Sequence, residues 1–138
     1  QIYEVLLSKP QLEERLFEQL KVINQYPELR QQLVDHVKSF HAWLMSDLKA
    51  RSFKSEVPML AVTNDGATLS GIIDLLVETD EGYWIIDHKT DGKTNDEQFK
   101  KHLPQLLAYA EHTKLDKPIL GVAINWVRDG KLSCLSYQ

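Results

Sequence analysis

Trp84-Ile85-Ile86-Asp87-His88-Lys89-Thr90 sets an acid and a lysine two places apart inside an apolar run, and Gly71-Ile72-Ile73-Asp74 ends a similar run on a second acid. Side chains two apart on a strand share a face, so Asp87 and Lys89 are expected side by side. Charges among apolar neighbours are costly unless they are paired, hydrogen-bonded or bound to metal. The pattern needs a reason beyond folding.

The flanking turns bring the acids together. Asn64-Asp65-Gly66 and Thr79-Asp80-Glu81-Gly82 are hairpin signals between strands expected over residues 54–63, 67–78 and 83–89. A first turn centred on Asp65 opposes residues whose numbers sum to 130, which sets Glu56 opposite Asp74. A second turn centred between Asp80 and Glu81 gives a sum of 161 and sets Asp74 opposite Asp87. Opposed residues share a face. Three carboxylates and a lysine are therefore expected in line across three strands, an alignment that a one-residue slip would break.

Carboxylates this close repel unless a proton or cation intervenes, and hard cations such as Mg²⁺ or Mn²⁺ take oxygen ligands while keeping several waters. The pattern implies a divalent-metal site that hydrolyses a nucleic-acid phosphodiester. Asp74 and Asp87 are the expected ligands, helped by the main-chain carbonyl of His88. The metal would polarise a phosphoryl oxygen and activate water, and Lys89 would orient that water or stabilise transition-state charge. Glu56 would add a ligand, bind a second metal through water, or hold Lys89. The plain alternative is a structural ion pair of Asp87 or Asp74 with Lys89, with Glu56 at an exposed edge. Clusters of mutually perturbed ionisable groups favour the functional reading.

The rest of the chain frames this core. Its 138 residues fit one domain of ordinary globular composition. No apolar run nears the ~20 residues that cross a bilayer, and no signal peptide is visible. The single cysteine, Cys134, excludes a disulfide framework, a cysteine zinc knuckle and an iron–sulfur cluster, and is compatible with a reducing, cytoplasmic setting. A net charge of −4 lends no support to nucleic-acid binding, although a carboxylate-rich metal site would itself shift the balance this way. The sequence opens on Gln1 and reads as a piece of a larger protein.

The first half reads helical. Ile2, Val5 and Leu6 form a short stripe, and Ser8-Lys9-Pro10-Gln11 opens a helix bearing Leu12, Leu16, Leu20 and Ile23. From Glu28 to about Ala50, Leu29, Leu33, Val37, Phe40, Leu44 and Leu48 recur at steps of three or four. After the three strands, Thr94 and Glu97 cap a helical segment that Pro104 is expected to interrupt, with a new turn running to about His112. Strands over residues 119–126 and 132–137 follow, joined by Arg128-Asp129-Gly130-Lys131. Trp43, Trp84 and Trp126 fall among apolar neighbours as core or rim packing. Strand–helix–strand implies a parallel crossover. The expected fold class is α/β, a mixed sheet of about five strands with an antiparallel three-strand start. Residues 1–52 form a helical lead-in and residues 53–138 the core of a single domain.

These residues resemble the PD-(D/E)XK nuclease superfamily, and more narrowly the C-terminal nuclease domain of RecB- and AddA-type helicase–nucleases. That pattern is an acid in a G-x-I-D strand, D-x-K-T on the next strand, then a helix with Q-x-x-x-Y. Here these are Gly71-Ile72-Ile73-Asp74, Asp87-His88-Lys89-Thr90 and Gln105-Leu106-Leu107-Ala108-Tyr109, with Glu56 matching the preceding glutamate. The resemblance implies a restriction-endonuclease-like fold, Asp74 and Asp87 as Mg²⁺ or Mn²⁺ ligands, a catalytic Lys89, and Gln105 and Tyr109 placing the DNA strand. It implies an exonuclease tied to a helicase domain in the same parent chain and to a partner subunit, with no membrane role. Family members often carry a histidine ligand on an early helix. His36 and His41 lie too close ahead of Glu56 for that position, and the counterpart is expected upstream of Gln1.

Two other readings stand beside this one: an inactivated nuclease-like domain that binds DNA or a partner subunit, and a stand-alone endonuclease of the same superfamily. Retention of Asp74, Asp87 and Lys89 together speaks against an inactivated copy. Gly92-Lys93-Thr94 shares its letters with the end of a phosphate-binding loop, but Asp87 stands where that motif requires its first glycine. Lys93, Lys100, Lys101 and His102 flank the site, as phosphate contacts or as a solvated helix face.

Overall fold

The computed structural model describes residues 27–62, 65–89, 96–127 and 129–137. The helices expected over residues 1–26, the Thr94 cap and Lys93 lie outside them. Residues up to Asp47 form one compact unit and residues from Leu48 onward a second.

In the first unit, helix α1 (Pro27–Ser46) follows the apolar stripe, with Val34, Val37, Phe40 and Leu44 buried. The Phe40 ring stacks on Trp43 at 5.8 Å between centroids. The helix stops at Ser46 rather than near Ala50. Asp47 N–H closes the last turn on the Trp43 carbonyl, and Lys49 takes a φ of 56°, a left-handed value that no α-helix continues.

The second unit is a five-stranded mixed sheet in sequential order: β1 (Ser52–Val62), β2 (Thr68–Glu78), β3 (Tyr83–Lys89), β4 (Ile119–Trp126) and β5 (Lys131–Ser136). All neighbours are antiparallel except β3 and β4, which run parallel and are joined through helix α2 (Asp96–His112). Both hairpin registers are those the turn chemistry sets. Paired residues of β1 and β2 sum to 130, and those of β2 and β3 to 161. In the first turn Gly66 supplies a φ of 84°, and the Asp65 carboxylate accepts the Ala67 N–H at 3.1 Å. In the second the Thr79 hydroxyl accepts N–H groups from Glu81 and Gly82 and donates to the Gly82 carbonyl.

Pro104 does not interrupt α2, which runs unbroken across it. A proline inside a helix costs about 3 kcal/mol, whereas each large apolar side chain fully buried returns about 1.5–3 kcal/mol. Leu106 and Tyr109 are buried beyond Pro104, while Phe99 and Leu103 before it and Leu107 and Ala110 after it pack on the same cluster. The helix is held to the sheet on both sides of its weak point. Beneath it lie Met59, Ile73, Leu76, Ile85, Val122, Ile124 and Trp126. The two parallel strands are buried on both faces, Ile85, Ile86, Ala123 and Ile124 being almost fully enclosed. Trp84 and Trp126 are core residues, and Trp43 is half-buried. No helix among the described residues is long and apolar enough to cross a membrane.

Candidate active site

Strands β2 and β3 part where the acids lie. Their pairing ends at Leu75↔Ile86, although β2 reaches back to Thr68 and β3 on to Lys89. At this fork the Asp74 carboxylate takes over from the β2 main chain, its Oδ2 accepting the His88 N–H at 2.9 Å. The N–H and C=O of one residue in an extended strand point toward the same neighbour. The His88 carbonyl therefore faces the Asp74 side of β3, while the next carbonyl, of Lys89, turns to the other side and accepts the Val127 N–H at 3.0 Å.

Asp87 follows Ile86 across the fork from Asp74, and the two carboxyl groups lie within hydrogen-bonding range of each other. Lys89 Nζ closes on Asp87 Oδ2 at 2.9 Å, with both side chains largely shielded from solvent. Burial foremost, then the hydrogen bond with Asp74, pushes the Asp87 carboxyl up to about 6, and Lys89 opposes the shift. The structure thus brings Asp74, Asp87 and Lys89 together.

Glu56 stands apart from them. It occupies the register position opposite Asp74, between the pairs Ser55↔Leu75 and Val57↔Ile73, but its φ is 54° and its side chain is exposed. Its carboxylate makes no hydrogen bond or ion pair with the other acids among the described residues. Ile73 and Leu76, three places apart, both reach the cluster under α2, where a regular strand would send them to opposite faces. The alternation that predicted one shared face is broken at Asp74 and Glu56. Irregularities of this kind re-aim side chains beside functional sites.

On α2, the Gln105 amide donates to the Tyr109 hydroxyl at 3.1 Å, Gln105 being exposed and Tyr109 buried in the core. Tyr109 lies against Gly71, where a Cβ would fall on its hydroxyl. The glycine three places before Asp74 is therefore a seat for this ring. Gly71→Ala is expected to destabilise the domain by about 1–3 kcal/mol through overpacking. Tyr109→Phe in the same chain should recover part of that loss in a thermal melt. Lys100 and Lys101 are exposed, and the His102 ring lies tilted 6.2 Å from Trp126, the register partner of Lys89.

The motif reading used only the main chain of His88. The residue is half-buried with its Nε2 shielded from solvent, and Nδ1 lies 3.1 Å from Nδ2 of Asn125, its register partner on β4 and itself buried. Burial lowers the His88 pKa to about 4 despite the charge of Asp87. Two polar residues in otherwise apolar strands, at matching positions, were the available signal.

The two perturbed groups oppose each other in acid. Asp87 binds its proton more tightly when folded, so its contribution favours the fold at low pH and fades as pH rises from about 4 through about 6. Neutral His88 favours the fold above about 6.5, a contribution lost as pH falls toward about 4. Between these limits the metal-free protein should melt with a shallow pH dependence. Asp87→Asn, which leaves His88 uncompensated, should lose stability more steeply on acidification.

The donor set suits a hard cation: two shielded carboxylates in mutual contact, which repel each other when no cation is beside them, and a carbonyl facing the same side. Among the described residues no group of three or more His, Cys, Asp or Glu side chains is placed to hold a metal ion, and Mg²⁺ needs only one or two carboxylates beside its waters. A sequence profile of the PD-(D/E)XK nuclease superfamily matches residues 3–123. The chain belongs to the PD-(D/E)XK nuclease superfamily. No curated protein gave a match. The five-stranded mixed sheet with α2 across it is the α/β, restriction-endonuclease-like fold of this nuclease superfamily.

Proposed function

We propose that the domain is a Mg²⁺- or Mn²⁺-dependent deoxyribonuclease, an exonuclease module of a RecB/AddA-like helicase–nuclease serving DNA repair and recombination in the cytoplasm. The observation that carries the hydrolytic reading is the contact of Asp74, Asp87 and Lys89 at the fork between β2 and β3. The ordered motifs from Glu56 to Tyr109 support the helicase-linked reading, with a helicase domain in the parent chain and a partner subunit.

Asp74 and Asp87, with the His88 carbonyl, would hold the cation. When bound, it supplies Lewis acidity to the phosphoryl oxygen and to the attacking water. Lys89, aimed by its ion pair with Asp87, orients that water and offsets the charge that grows on the phosphoryl oxygens. Gln105, exposed on α2 and hydrogen-bonded to Tyr109, places the DNA strand. Tyr109 acts from beneath by seating β2 at Gly71. Glu56 contributes from the solvent side of the fork.

End-labelled linear DNA and closed circular DNA, each incubated with the protein and Mg²⁺ or Mn²⁺, test this. Degradation of the linear form alone, abolished by chelator, is the expected result. Equal cleavage of closed circles would replace the exonuclease with an endonuclease. Cleavage of neither would leave a DNA- or partner-binding domain.

A further inference from the structure

His88 and Asn125 form a polar pair in the most deeply buried part of the sheet. They face each other across the parallel β3–β4 pairing, with Nδ1 of His88 and Nδ2 of Asn125 3.1 Å apart. The contact is a hydrogen bond between the Asn125 amide and the His88 ring. Asn125 is 3 % exposed, between Ile124 and Trp126, which are more deeply buried still. A buried polar pair in such a place adds little net stability over apolar residues of the same shape, so stability alone gives it no purpose.

Its position supplies one. The residue whose side chain Asn125 holds is the residue whose N–H binds Asp74 and whose carbonyl faces the same side. Here β3 has just left its pairing with β2, since the last paired residue is Ile86. Beyond Ile86 the pairing with β4 continues to Lys89, but on the β2 side the ladder bonds give way to the bond between the His88 N–H and the Asp74 carboxylate. The side-chain bond to Asn125 ties the same residue from the opposite direction. We propose that Asn125 is a positioning residue for the metal site. Through the His88 imidazole it fixes the rotation of the β3 main chain, so that the His88 N–H stays on Asp74 and the His88 carbonyl stays turned to the cation. This inference rests on the metal reading of Asp74 and Asp87.

The test is Mn²⁺ binding by titration calorimetry to wild type, Asp74→Asn, Asn125→Leu and the double variant His88→Leu/Asn125→Leu, with thermal melts of each. Asn125→Leu leaves the His88 ring without its amide partner and should lower both the melting temperature and the affinity. The double variant replaces both polar groups by apolar ones and should recover most of the melting temperature. Its Mn²⁺ affinity should stay reduced about tenfold or more, the usual loss when a group that orients a metal ligand is removed. In cleavage assays it should need correspondingly more metal.

A double variant that binds Mn²⁺ as wild type does would overturn the proposal and leave the pair a packing feature. If the double variant does not fold, Asn125→Ser, which leaves a small cavity instead of a bulky group, is read the same way. The two failures are distinguishable. Wild type that binds no Mn²⁺, or Asp74→Asn that binds it unchanged, sinks the metal reading itself, whereas the double variant bears only on Asn125.

Discussion

Replacing Asp87 by asparagine abolishes metal-dependent DNA cleavage while making the metal-free protein more stable at neutral pH: that is the expected result. The two effects share one cause. Asp87 is forced close to Asp74 in a shielded fork, and burial with that contact holds its carboxyl far above the ordinary carboxylate range. At neutral pH the carboxylate is ionised in both states, but in the folded protein it is shielded and pressed against Asp74, whereas in the unfolded chain it is solvated. A shift of this size corresponds to about 1.4 kcal/mol per pKa unit. Lys89 loses its partner in the variant, which returns part of the gain, so the net stabilisation is about 1–2 kcal/mol. That is a rise of several degrees in melting temperature for a domain of this size. On the proposed metal reading the same substitution also removes a ligand of the cation, and cleavage should fall by about a thousandfold or more. A melt with chelator and a cleavage assay on one preparation check both halves. A structural ion pair makes the opposite forecast, because breaking a buried pair from one side destabilises.

Lys89→Ala separates binding from chemistry. Lys89 touches Asp87 at 2.9 Å but supplies no oxygen to a cation. Its loss removes one positive partner from the carboxylates, so Mn²⁺ should bind at least as tightly as to wild type. The charge that grows on the phosphoryl oxygens loses its counterpart, and the cleavage rate at saturating metal should fall about 10²–10³-fold. Calorimetry and single-turnover cleavage give the two numbers independently. A parallel loss of metal affinity would mean that Lys89 shapes the site rather than acting in it.

The readable part of this fold was its turn chemistry. Asp65-Gly66 and Thr79 through Gly82 determine their own hairpins, and a hairpin turn fixes register over the whole strand pair. Hence the register that sets Glu56 opposite Asp74, and that brings β2 and β3 together up to Leu75 and Ile86 beside the two acids, followed from local letters. What failed was the assumption that both strands stay regular. The left-handed φ of Glu56 and the parting of β2 from β3 beyond the Leu75–Ile86 pair are encoded by no local pattern. Pro104 misled for the same reason, since its local cost is outweighed by burial on both sides. The resemblance sets Gln105 and Tyr109 together at the DNA strand. Their hydrogen bond is there, but Tyr109 is a core residue whose seat is Gly71. Asn125 lies 37 residues from His88, beyond any local pattern, and only the parallel pairing of β3 with β4 joins them.

The most direct test of the account is label release from end-labelled linear DNA by wild type and Lys89→Ala side by side, with Mn²⁺, with Mg²⁺ and with chelator. Wild type should release label with either metal and none with chelator, and Lys89→Ala should release it at least about a hundredfold more slowly. Equal release by the two proteins, or release that survives the chelator, would contradict a metal-dependent centre built on Asp74, Asp87 and Lys89.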